Sequence, residues 1–213
     1  MARGIENALD ITLGEYLPKL QKRITEETFY FGVQTLKNPL DFWVYQEIIS
    51  DIKPDVIVEI GTNWGGSTLA FAHLLDACGH GKIIGVDRDQ KKIPLCVREH
   101  SRVVLHEGDA IESYEWVSSQ IEKGSNVLAV EDSSHTYENT LEVLRHYSQL
   151  VIPGGYFIVE DSICHHGLAL GPRPGPYEAI EQFLEETRDF HSMREKESFL
   201  ITWNPKGFLH RSN

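Results

Sequence analysis

Apolar positions along the chain follow two rhythms. Short unbroken runs (Val56-Ile57-Val58, Ile83-Ile84, Val127-Leu128-Ala129-Val130 and Tyr156-Phe157-Ile158-Val159) alternate with longer segments of helical spacing. Runs of four or so apolar residues between turn residues read as strands buried on both faces. A shorter strand is expected at Val103-Val104-Leu105, and a closing one at Phe199 to Trp203. Between them the spacing predicts helices from about Ser67 to Cys78, Lys91 to His100, Ile111 to Glu122, Tyr137 to Leu150 and Tyr177 to Asp189. Upstream, residues 9–29 are moderately amphipathic. Asp41 is expected to cap a helix from Phe42 to Ile52, which stops before Pro54. Tyr30 to Pro39 reads as an ordered loop with aromatic anchors.

Strands alternating with helices imply an α/β fold with a doubly wound, mostly parallel sheet covered on both faces. The expected organisation is an N-terminal helical extension (1–53) packing on a core (54–213), one structural domain overall.

Composition narrows the class of function. A chain of 213 residues with 41% hydrophobic and 24% charged residues fits one well-buried domain. No apolar run is long enough to span a bilayer, and Met1 to Asp10 carries no signal-peptide core. The three cysteines, Cys78, Cys96 and Cys164, are widely spaced and form no CxxC, which suits a cytoplasmic protein. The formal net charge is −12, with no basic cluster beyond Lys91-Lys92, so phosphate backbones would be repelled. Neither nucleic acid nor membrane is expected as a partner; a small hydroxylated molecule is. The N-terminal helices are a candidate surface for homo-oligomers.

Candidate chemistry begins at Val56–Ser67, where a strand passes through Glu59, Gly61, Thr62, Gly65 and Ser67 into a helix. Glycines let a ligand approach the backbone, and the helix start offers unpaired N–H groups. The turn reads E-x-G-x-x-x-G-G-S, not G-x-G-x-x-G, which disfavours a bound pyrophosphate. Ligands in such sheets sit beyond the carboxyl ends of the strands. Acids gather there: Glu59, Asp87, Asp109, Asp132 and the pair Glu160-Asp161. Asp87 is placed to accept from ribose hydroxyls. Asp132, Glu160 and Asp161 form a hard-oxygen set suited to Mg2+, with Glu131 an alternative to Asp132. His135, three residues beyond Asp132, is the candidate general base. His165, His166, Tyr30, Phe31 and the Gly167–Pro176 loop are expected to shape the rest of the pocket.

Six motifs in order carry a resemblance: Gly32-x-x-x-x-Lys37-x-Pro39-x-Asp41, Glu59-x-Gly61-x-x-x-Gly65-Gly66-Ser67, Asp132-x-x-His135-x-Tyr137, Val159-Glu160-Asp161, Gly175-Pro176-Tyr177-Glu178-Ala179 and Asn204-Pro205-x-Gly207-x-Leu209. Together they resemble the cephalosporin hydroxylase or rhamnosyl O-methyltransferase family of S-adenosylmethionine-dependent, metal-dependent O-methyltransferases. The resemblance implies a class I, Rossmann-like methyltransferase fold. It implies that Glu59 and the Gly61–Ser67 turn hold the methionine end of the cofactor, Asp87 the ribose, and Asp109 the neighbourhood of the adenine amino group. It also implies Mg2+ on Asp132, Glu160 and Asp161, with His135 taking a proton from the acceptor hydroxyl. The expected reaction is methyl transfer to a small natural product or sugar bearing adjacent oxygens. The alternatives are a nicotinamide-dependent oxidoreductase on the same architecture and a non-catalytic protein that keeps the cofactor pocket.

Overall fold

The computed structural model describes residues 4–212. Met1 to Arg3, the start of the expected 1–53 extension, lie outside the described residues. The apolar runs form β3 (Val56–Ile60), β4 (Lys82–Asp87), β6 (Val127–Glu131) and β7 (Tyr156–Val159), and β5 is Val103–Glu107. Every residue of β3 and β6 is buried, as a strand covered on both faces must be. Side chains alternate between two cores. Ile57, Ile83, Leu128 and Ile158 pack on one face against α2 (Pro39–Ile52) and α3 (Gly66–Cys78). Val58, Ile84, Ala129 and Phe157 face the other, against α6 (Tyr137–Tyr147) and α7 (Pro176–Glu186). Each fully buried aliphatic side chain of this kind contributes roughly 1.5–3 kcal/mol.

The seven-stranded sheet has the order β5-β4-β3-β6-β7-β9-β8, where β8 is Phe190–Ser192 and β9 is Phe208–Arg211. All pairs from β5 to β7 are parallel, and β9 is antiparallel to both its neighbours. The chain winds from β3 outward to β5, then returns to the far side of β3 for β6. That reversal opens a crevice at the carboxyl ends of β3 and β6, where ligands bind in this architecture. Among the described residues no helix is long and apolar enough to cross a membrane.

Several expected elements differ in the structure. The helix expected over 91–100 shortens to α4 (Leu95–Arg98), started by Pro94, and that over 111–122 to α5 (Tyr114–Ser119). Tyr30 to Pro39 holds part of a small hairpin, β1 (Phe29–Tyr30) paired with β2 (Val33–Gln34). The residues before it form α1 (Leu13–Glu27), opened by a Thr12–Glu15 capping box.

Asp41 is not the cap of α2. Asn38 takes that place, its side chain accepting from the Leu40 amide, with Pro39 filling the first turn. Asp41 is instead buried one turn on, accepting from the Thr202 hydroxyl at 2.5 Å and the Trp203 amide at 2.8 Å. Burial raises its carboxyl to about 6, against the pull of these hydrogen bonds.

Residues 199–203 therefore form no strand. Their β-branched and aromatic content satisfies the strand pattern, but Thr202 and Trp203 are held by Asp41. Trp203 also packs with Leu17 and Ile24 of α1. The closing antiparallel strands are the shorter β8 and β9.

Candidate active site

The crevice holds a cavity of about 370 Å³ with three walls. The first is the turn after β3, from Gly61 to Trp64, with Gly66 and Ser67 at the start of α3. Gly61 has φ +98°, and a Cβ there would lie 2.0 Å from the carbonyl oxygen of Asp132. The turn and the exit of β6 thus touch backbone to backbone, which only glycine permits. Gly66 is equally confined: a Cβ there would meet Thr35 and Gln34, at the end of the hairpin and just beyond it. That segment, Gln34 to Lys37, lines the cavity opposite the turn.

The second wall is β4's exit, with Asp87, Arg88, Asp89 and Lys92. Asp87 accepts from the Asn63 amide at 2.7 Å and the Asp89 amide at 3.1 Å, tying this wall to the glycine turn. Lys92 lies over the Trp64 ring, 4.8 Å from its centre.

The third wall carries Asp132, Ser133, Ser134, His135, Asn139 and Asp161. His135 Nε2 lies 3.4 Å from Asp161 Oδ2 and 3.8 Å from Asp132 Oδ1. One donor atom from each of these three residues falls within 4.8 Å of the others. Left-handed backbone is uncommon outside glycine and gathers where a site demands it. Here Asn63, His135 and Asp161 all have positive φ, at 45°, 55° and 55°.

Behind this wall the acids are buried. Lys37 Nζ sits 2.5 Å from Asp132 Oδ2 and 2.6 Å from Glu160 Oε1. Burial works against its ammonium, but Asp132, Glu160 and Glu59 outweigh that and hold it protonated. Glu160 is pushed well above the usual carboxyl range by burial and by Asp132, against Lys37's opposing pull. Asp161 is also raised, by burial first and then Asp132, while His135 draws it down.

Of the residues expected at a site, the structure brings Gly61, Thr62, Ser67, Asp87, Asp132, His135 and Asp161 to one cavity. Glu59, Gly65, Asp109 and Glu160 are off its wall. Glu59 is fully buried under the turn and accepts from the Thr68 hydroxyl at 2.5 Å, with its Oε1 unpartnered. Gly65 supplies a left-handed N-cap for α3. Asp109 accepts from the Ile111 amide at 2.9 Å and pairs with Arg88. Asp132, rather than Glu131, faces the cavity.

His165 bonds the Gly171 carbonyl, and His166 bonds Glu178 and stacks on Tyr177. Tyr30 and Phe31 pack around His73. None of these four lines the cavity. Lys37, Trp64 and Lys92 are wall residues that pattern reading passed over. Only Lys37 had a signal, as the lysine of a motif where a loop needs none.

Glu131 accepts from Ser133 Oγ at 2.7 Å and Asn139 Nδ2 at 3.3 Å, while its Oε2 has no partner. Burial raises its carboxyl to about 7. A carboxyl raised on folding lends stability below its unfolded pKa, and loses it as pH rises through the folded one. Glu131→Gln should therefore stabilise the fold relative to wild type at pH 8, by about 3 kcal/mol, with the difference vanishing near pH 4. Urea midpoints at the two pH values measure it. An equal shift at both would reject the assignment.

The chain is similar to known proteins over most of its length. A family model described as Rhamnosyl O-methyltransferase/CmcI matches residues 22–212. A rhamnosyl O-methyltransferase of Mycobacterium tuberculosis (strain ATCC 25618 / H37Rv) is 33% identical over 195 residues, 87% of this chain and 79% of the relative. That of Mycobacterium leprae (strain TN) is 30% identical over 194 residues, 86% and 83% of the two chains. A structure of CmcI with Mg and SAM superposes at TM-score 0.68 and 25% identity, over 87% of this chain and 77% of that one. An O-methyltransferase from Bacillus cereus in complex with SAH shares the fold, at TM-score 0.58 and 19% identity, over 85% and 81%.

Proposed function

The chain belongs to the rhamnosyl O-methyltransferase/CmcI family, and from that premise we propose how its cavity is used. It is an O-methyltransferase that takes its methyl group from S-adenosylmethionine. The acceptor is a hydroxyl of a sugar or small natural product with a second oxygen beside it, and Mg2+ assists. The nicotinamide alternative falls with the family. The observation that carries the reading is that one cavity joins the glycine turn and Asp87 to Asp132, His135 and Asp161.

The residues fit both groups. Gly61 and Gly66 let the turn pack directly on the Asp132 backbone and on Gln34–Thr35, which sets the shape of the cradle. Glu59, buried beneath with Oε1 unpartnered, underlies it with an acidic group suited to a cofactor's positive end. Gly61, Thr62 and Ser67 would hold the methionine end and Asp87 the ribose. Glu59 and Gly65 shape the turn from below, and Asp109 fixes Arg88 at the cavity rim. Asp132 and Asp161 present the oxygen donors that Mg2+ prefers, with Glu160 behind them.

S-adenosylmethionine, when bound, supplies the electrophilic methyl group, and Mg2+ lowers the pKa of a neighbouring hydroxyl. The chain's own residues do the rest. The carboxylates of Asp132 and Asp161 face His135 Nε2; that nitrogen, unprotonated in the resting imidazole, takes the acceptor's proton. Asp161 then stabilises the imidazolium, and the Gln34–Lys37 segment keeps water from the reacting atoms. Position and charge supply the acceleration.

Calorimetry separates this reading from its competitor. S-adenosylhomocysteine should bind saturably and NADH should give no heat; the reverse pattern would refute the cofactor assignment.

A further inference from the structure

We propose that Lys37 is the positioning residue of the acidic wall, a resident cation that holds the carboxylates in place and weakens their grip on a divalent ion. The inference rests on the reading above that a divalent cation binds beside Asp132 and Asp161.

Lys37 comes from outside the sheet, yet its ammonium is the one buried counter-charge to the acids among the described residues. Its backbone is held from both sides. Thr35 N–H donates to the Thr28 carbonyl at 2.9 Å, and Asn38 starts α2. The side chain is 4% exposed and reaches one oxygen of Asp132 and one of Glu160. Asp132 keeps its other oxygen, Oδ1, toward His135 at 3.8 Å. The ammonium therefore selects which oxygen of Asp132 meets the cavity.

The charges argue the same way. Glu59, Glu131, Asp132, Glu160 and Asp161 crowd the carboxyl ends of three neighbouring strands, and Glu59, Glu131 and Glu160 are buried. Uncompensated, buried carboxylates repel one another and lose hydration. Lys37 supplies a counter-charge to them from within the chain itself. A positive charge fixed on the same carboxylates must also oppose an entering divalent cation.

The test measures Mn2+ affinity by electron paramagnetic resonance on the S-adenosylhomocysteine complex, with thermal midpoints in EDTA and in saturating Mn2+. Lys37→Met should lower the EDTA midpoint, recover most of the loss in Mn2+, and bind Mn2+ about tenfold more tightly than wild type. Lys37→Arg, which keeps the charge, should stay within about threefold of wild type. If Lys37→Met does not fold, the double variant Lys37→Met/Glu160→Gln removes the ammonium together with its buried partner and leaves only the part-exposed Asp132 without its counter-charge. It should regain the EDTA midpoint, since an absent pair costs less than a broken one.

Unchanged Mn2+ affinity in folded Lys37→Met, or a midpoint loss that Mn2+ does not recover, overturns the proposal, as does a double variant that also fails to fold. Wild-type protein that binds no Mn2+ overturns the divalent reading itself, and the assignment with it. The wild-type arm tells the two failures apart.

Discussion

Replacing Asp132 with asparagine is expected to lower kcat by about 10²–10³-fold while cofactor affinity stays within about threefold. Asp132 joins three groups: Oδ2 holds Lys37, Oδ1 faces His135, and the backbone carbonyl supports Gly61. Asparagine preserves shape and the carbonyl contact, so the cofactor turn keeps its geometry. What disappears is the negative charge beside His135 and the acceptor hydroxyl. An effect on chemistry with binding intact identifies transition-state stabilisation. His135→Ala should also lower kcat, but it leaves both carboxylates in place. Titration calorimetry with S-adenosylhomocysteine and steady-state kinetics on the same preparations separate the two effects. If Asp132→Asn weakened cofactor binding and catalysis in proportion, Asp132 would be a cofactor residue.

Gly61→Ala should be nearly as damaging for a different reason. A methyl group there collides with the Asp132 carbonyl oxygen at 2.0 Å and its carbon at 2.5 Å, and φ is +98°. Neither contact can be relieved by turning a side chain. The β3 turn and β6 exit must part, at about 2–4 kcal/mol from overpacking and left-handed backbone together. That movement spoils the cofactor turn and the acidic wall at once. Gly79→Ala is the control: its φ is also positive, at +81°, but it has open space around it, so about 1 kcal/mol is expected. Urea midpoints for both variants, with S-adenosylhomocysteine binding by the folded fraction, measure the difference. Gly61→Ala as mild as Gly79→Ala would show that the close approach at the switch point carries no weight.

The sheet was legible in the sequence because its central strands are buried on both faces, leaving apolar runs that end at an acid. Gly61 and Asp87 could be placed for the same reason: they follow directly from strand ends. What escaped was anything decided between distant segments. Residues 199–203 have strand composition, but Asp41 holds Thr202 and Trp203, about 160 positions away. The choice between Glu131 and Asp132 turns on one step of register, since adjacent strand residues face opposite sides. Glu160 read as a site acid because its position at a strand end is right. Its engagement by Lys37 depends on a loop whose path no local pattern describes. Lys37 itself was visible only as a letter in a motif, since a buried lysine has no periodicity to betray it.

Metal-assisted methyl transfer is tested most directly by following labelled methyl from S-adenosylmethionine to a panel of vicinal-diol acceptors, rhamnosides among them, with EDTA and then with added Mg2+. Label incorporation is expected in Mg2+, with loss of it in EDTA and recovery on adding Mg2+ back. Incorporation at the same rate in EDTA would contradict metal assistance.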